Sequence, residues 1–140
     1  MSSTSDTPSV LFVCVKNGGK SQMAAGLMDK VAGGSVTTAS AGSKPGSAVN
    51  DLSAQVLAEV GVDISQNVPR LITVEDQERA DLVVVLGPEA QIDEVDGTRY
   101  ERWDTDEPSE RGIEGIERMR LVRDDILQRV TALHAALTAR

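Results

Sequence analysis

One short run limits the possible fold more than any other. Asp81-Leu-Val-Val-Val-Leu86 is almost wholly aliphatic and is closed by Gly87-Pro88. Its length and β-branched content suit a strand. A strand apolar at every position is buried on both faces, as in the centre of a parallel sheet covered on two sides. Parallel neighbours need crossover connections, usually helices, so the chain should alternate strand and helix. Ser9 to Val13 is another short β-forming run. Ser21 to Val31 follows with Met23, Ala24, Leu27, Met28 and Val31 at helical spacing, ended by Gly33-Gly34. Ser35 to Ser40 reads as a strand and Lys44-Pro45-Gly46 as a loop. A helix capped by Asn50 or Asp51 should run through Val60, with Leu52, Val56, Leu57 and Val60 inward and Gly61 ending it. Thr98 to Trp103 is a weaker strand. From Glu110 onward Ile113, Ile116, Met119, Val122, Ile126, Val130, Leu133 and Leu137 keep helical spacing, with a possible break at Gly112 or Gly115. The expected class is α/β, a parallel sheet with helices on both faces.

A chain of 140 residues suits one core and one domain, expected over 9–140 behind a Ser/Thr-rich, disordered lead-in over 1–8. Neither a signal peptide nor a membrane span is expected, which places the chain in the cytoplasm. A net charge of −8 argues against nucleic acid or an anionic membrane as partner. An anionic substrate would need a positive pocket built against that field. The single cysteine, Cys14, excludes an intrachain disulfide and a multi-cysteine zinc site. No metal and no bound cofactor are expected.

In parallel sheets of this kind ligands sit beyond the carboxyl ends of the strands, where Cys14 falls. The segment Cys14-Val15-Lys16-Asn17-Gly18-Gly19-Lys20-Ser21 then leads into a helix. Unpaired amides at a helix start, together with the helix dipole, hold an oxyanion. Gly18 and Gly19 let the backbone turn inward, and Lys16 and Lys20 add charge. Ser21 can cap the helix or donate its hydroxyl to sulfur. The same surroundings favour a thiolate, and loop amides stabilise charge on the group it attacks. Two plainer readings are a glycine turn with Cys14 as core filler and a nucleotide-binding loop. The latter fails on spacing, since no glycine lies five residues before Gly19.

The run Val10-Leu-Phe-Val-Cys14-x5-Lys20-Ser21-Gln22-Met23-Ala24 resembles the low-molecular-weight tyrosine phosphatase superfamily, and most closely its arsenate reductase branch. Ser40-Ala41-Gly42, Gly61 to Ser65, Asp81 to Leu86 and Trp103 to Pro108 extend the resemblance in the family's order. It implies a four-stranded parallel sheet flanked by helices, with Cys14 as nucleophile and Val15, Lys16, Asn17, Gly18, Gly19, Lys20 and Ser21 around the oxyanion. The family's loop asparagine, matched by Asn17, holds the loop's shape.

Two departures matter. Lys20 stands where the family has arginine, which exchanges a flat two-pronged fork for a point charge on a flexible stem. The family's acid is an aspartate directly before proline. Here the segment is Asp104-Thr105-Asp106-Glu107-Pro108, so Glu107 is the positional match and Asp106 its neighbour. A carboxyl at either place is a candidate general acid, or simply favours the following helix N-terminus. Gly87-Pro88-Glu89-Ala90 holds no sulfur where thioredoxin-linked arsenate reductases carry two further cysteines. The oxidising equivalent must then pass to an outside thiol, a pattern similar to the mycothiol-linked arsenate reductases. The resemblance implies arsenate or a phosphate-like oxyanion as substrate, mycothiol as external low-molecular-weight thiol, and a mycoredoxin or glutaredoxin-like reductant. The alternatives are a phosphatase acting on phosphoesters and a non-catalytic oxyanion-binding regulatory protein. Only Phe12, Tyr100 and Trp103 are aromatic, which disfavours grip on a phosphotyrosine ring. His134, late in the terminal helix, is expected to serve the helix surface.

Overall fold

The computed structural model describes residues 7–139. The expected lead-in falls largely on residues 1–6, which lie outside the described residues. The Pro8 carbonyl already accepts the Thr37 amide at 2.8 Å.

The strands are β1 (Ser9–Cys14), β2 (Thr37–Gly42), β3 (Leu82–Leu86) and β4 (Arg99–Trp103). They form one parallel sheet in the order β2-β1-β3-β4. Between and after them lie α1 (Lys20–Ala32), α2 (Asp51–Ala58), α3 (Val74–Arg79), a short 3₁₀ turn (Pro108–Arg111) and α4 (Gly115–Thr138). No helix among the described residues is long and apolar enough to cross a membrane.

Alternation along β1 and β3 divides the core in two. Val10, Phe12, Leu82, Val84 and Leu86 face α1, α2 and α4. Leu11, Val13, Val83 and Val85 face Ala41, Ala90, Ile72 and Ile92 on the thinner side, which α3 and coil cover. Each fully buried aliphatic or aromatic side chain contributes ~1.5–3 kcal/mol. Phe12 and Trp103, with ring centroids 5.9 Å apart and tilted at 56°, tie β1 to the end of β4.

α3 was not expected, and β2 lies two residues later than the expected Ser35 to Ser40. Where the sequence left alternatives open, local chemistry decides between them. The terminal helix does not start at Glu110. Gly112 takes φ 79° and closes the 3₁₀ turn, and α4 begins afresh at Gly115. Of the two expected caps for α2, Asn50 is the one used, its side chain accepting the Ser53 amide at 2.9 Å, and the helix ends at Ala58 rather than Val60.

The topology positions the site. The chain leaves β1 through α1 to reach β2 on one side, then returns to β3 on the other. Connections leaving the carboxyl ends of β1 and β3 therefore diverge onto opposite faces. The crevice between them is the switch point where ligands bind in open α/β sheets. Cys14 and Gly87 stand at its two lips.

Candidate active site

The loop from Cys14 to Gly19 is shaped from outside by the segment 43–50. Cys14, Val15, Lys16 and Gly18 give their carbonyls to the amides of Ser43, Lys44, Gly46 and Asn50, at 2.7–3.1 Å. In a trans peptide the N–H of the next residue points opposite to the carbonyl. The amides of Val15, Lys16, Asn17 and Gly19 are thereby turned away from that segment. The Asn17 amide lands on the Cys14 sulfur, N···S 3.3 Å.

Asn17 is the turn. Its φ is 53°, the left-handed region that asparagine tolerates better than most residues. Its buried side chain donates to Ser21 Oγ at 2.8 Å and accepts the Arg70 amide at 3.0 Å. Gln22 donates to the Asn17 carbonyl at 3.2 Å, and Asn67 holds Gln22 in turn. Gly18 matters for proximity: a Cβ there would meet the Ala48 carbonyl oxygen at 2.9 Å. Gly42, at the end of β2, is tighter, since a Cβ would lie 2.6 Å from the Val15 carbonyl oxygen.

Ser21 does not cap α1. The residue before the helix is Gly19, no side chain caps it, and no acidic residue occupies the first turn. That end of the helix keeps its amides and partial positive charge for a ligand. Ser21 Oγ lies 2.9 Å from Cys14 Sγ. Because Asn17 already donates to this oxygen, the hydroxyl proton is free to point at sulfur, where it stabilises a thiolate.

Cys14, Val15, Lys16, Gly18, Gly19 and Lys20 line a common cleft. Lys44, Glu89 and Arg118 also reach it, with Leu86, Met119 and Val122 as an apolar wall. Three of the chain's four lysines are thus gathered at one cleft in a protein of net charge −8. No aromatic side chain lines it among the described residues.

The two candidate acids part company. Glu107 accepts Lys20 Nζ on Oε1 at 2.9 Å and Arg118 on Oε2 at 3.0 Å, with Ser109 Oγ at 3.2 Å. The Lys20 hydrogen bond, opposed by burial and joined by Arg118, holds its carboxyl below the ordinary carboxylate range. Lys20 and Arg118 together favour the carboxylate form of Glu107. Asp106 forms a two-pronged pair with Arg111 at 2.8 and 3.1 Å, while its amide donates to Asp125. That pairing lowers its carboxyl too. Neither carboxylate lines the cleft itself, and only Glu107 is bound to cations that do, Lys20 and Arg118. Lys20 thus links the loop to Glu107. His134 contacts Ser35 at 2.9 Å, away from the cleft.

Arg118 escaped sequence reading. It is four residues before Val122 and next to Met119, so the helical pattern placed it at the edge of the buried stripe. That this edge meets the crevice depends on how α4 crosses the sheet, which no local pattern carries.

The family model for low molecular weight phosphotyrosine protein phosphatases matches residues 9–140. The chain belongs to this family, on its arsenate reductase branch. The arsenate reductase of Halalkalibacterium halodurans is 33% identical over 129 residues, 86% of this chain and 91% of that protein. A solved arsenate reductase in a phosphate-binding state superposes with a TM-score of 0.79 at 28% identity, covering 94% of this chain and 99% of that one. The thioredoxin-dependent arsenate reductase of Corynebacterium glutamicum gives 0.78 at 32% identity, over 94% of this chain. This chain spans only 62% of that longer protein.

Proposed function

We propose that the protein reduces arsenate through an external low-molecular-weight thiol. The observation that carries this reading is a lone sulfur, Cys14, held by the Ser21 hydroxyl and the Asn17 amide at the mouth of an anion loop. The branch's arsenate reductases support the choice of oxyanion.

Cys14 Sγ attacks arsenic and forms an S–As bond. The displaced oxygen leaves as water, taking the thiol proton and the arsenate hydroxyl. An outside thiol then attacks arsenic, takes the arsenic group onto its own sulfur and returns Cys14 as a thiol. A second thiol attacks that sulfur; a disulfide forms, the S–As bond breaks, and its electron pair reduces As(V) to As(III). Mycothiol is the proposed first thiol and a mycoredoxin or glutaredoxin-like protein the second. With Cys14 alone, no internal disulfide can take the oxidising equivalent. Lys20 and the loop amides hold arsenate oxygens. Glu107 manages protons once the oxyanion draws Lys20 from it and lets its carboxyl rise toward the ordinary range.

The test is arsenate-dependent oxidation of mycothiol, glutathione or another small thiol, with and without a mycoredoxin or glutaredoxin. Turnover that is lost in Cys14→Ser is expected. Hydrolysis of para-nitrophenyl phosphate without arsenate-dependent thiol oxidation would replace this reading with a phosphatase. Oxyanion binding with neither activity would leave a binding protein.

A further inference from the structure

We propose that Arg118 of α4 supplies the two-pronged grip on the oxyanion that the Cys14 loop lacks. The inference rests on the reading above that this cleft works on an arsenate- or phosphate-like anion. The loop itself offers amides and the point charge of Lys20. Arg118 enters the same cleft from a different element.

Its guanidinium is underused. Of five N–H donors, one contact is made at hydrogen-bond distance, from NH2 to Glu107 at 3.0 Å. NH1 stands 4.0 Å from Glu114, beyond hydrogen-bond range. Nε is buried and has no partner among the described residues. A buried N–H without an acceptor is costly, and an anion entering the cleft would supply one. Glu107 takes Lys20 on one oxygen and Arg118 on the other. The three groups form a cation–carboxylate–cation row with one net positive charge. An incoming dianion competes with Glu107 for both cations. Only the arginine can meet two oxygens of a tetrahedral anion with a planar edge.

Inorganic phosphate is the probe, titrated by calorimetry into wild type, Arg118→Gln, Arg118→Lys and Glu107→Gln, each first checked for an intact melt without anion. Arg118→Gln should weaken phosphate binding about tenfold or more, as expected for loss of a charge-assisted contact. Arg118→Lys, which keeps the charge without the fork, should fall between. Glu107→Gln should tighten binding by frees of both cations from their competitor. If Arg118 only clips Glu107 in place, Arg118→Gln and Glu107→Gln will move affinity alike or not at all. Either result, or no phosphate binding by wild type at millimolar concentration, overturns the assignment. In arsenate-dependent thiol oxidation, Arg118→Gln should raise KM more than it lowers kcat. Binding that depends on Arg118, with no thiol oxidation in wild type, would sink the arsenate reading and leave this one standing. Robust thiol oxidation with phosphate affinity and arsenate KM unchanged in Arg118→Gln would do the reverse.

Discussion

Asn17 and Ser21 form the smallest working unit of the site. Asn17 fixes the serine oxygen from one side, which leaves the hydroxyl proton for Cys14. Ser21→Ala removes that donor without touching the loop backbone. Alkylation of Cys14 by iodoacetamide at neutral pH should slow by roughly tenfold, the scale of one charge-assisted hydrogen bond. An unchanged rate would mean that the hydroxyl does not serve the sulfur. Lys20 is held by Glu107 at 2.9 Å. In a phosphatase weakened only by loss of its fork, Lys20→Arg should raise para-nitrophenyl phosphate hydrolysis by about 10²–10³. In an arsenate–thiol enzyme whose fork comes from α4, the gain should stay under about tenfold, with arsenate-dependent thiol oxidation no better than wild type. Both assays on the same two proteins separate the cases.

Elements behave as their local chemistry predicts, until packing decides. β1, β3 and the helical stripe of α1 were legible because apolar spacing alone defines them. α3 was not read from the sequence. Its six residues carry no apolar period, although Thr73 and Asp76 make a reciprocal cap around its start. The break before α4 was legible from Gly112 and Gly115, and the acidic segment before it was legible as a candidate. Which carboxyl pairs with the cations of the cleft was not, because Lys20 and Arg118 meet Glu107 from two distant elements while Arg111 claims Asp106. Two predictions belong here. Gly42→Ala pushes a methyl into the Val15 carbonyl, so it should cost ~1–3 kcal/mol in urea unfolding and weaken phosphate binding by moving the loop. Glu59 clasps α2 to α4 through Arg120 and Arg123. Hydrogen bonds from Arg120 and then Arg123 pull its carboxyl from 4.5 to about 2. A depressed folded value stabilises above the unfolded one and is lost as pH falls through the folded one. The difference in melting temperature between wild type and Glu59→Gln should therefore hold above about pH 5 and shrink as pH falls toward 2. A pH-independent difference would show that the clasp is not titrating.

On the scale of the whole molecule, an acidic body carries a basic cleft. A ligand that binds only the folded state raises stability by ~2.7 kcal/mol at a hundredfold excess over its dissociation constant. For a domain of this size that corresponds to a rise of roughly 10 °C in Tm. Phosphate and arsenate should produce it in wild type, added salt should reduce it, and Gly42→Ala should blunt it at equal anion concentration. The strap from Ser43 to Asn50 adds a consequence of another kind. It contains no helix or strand, yet the amides of Ser43, Lys44, Gly46 and Asn50 are spent on the carbonyls of the anion loop. Deuterium should enter these four positions slowly, at rates nearer those of the sheet than of the neighbouring coil. An oxyanion that stiffens the loop should slow them again, so exchange at four coil amides becomes a clock for occupancy of the loop whose carbonyls they hold.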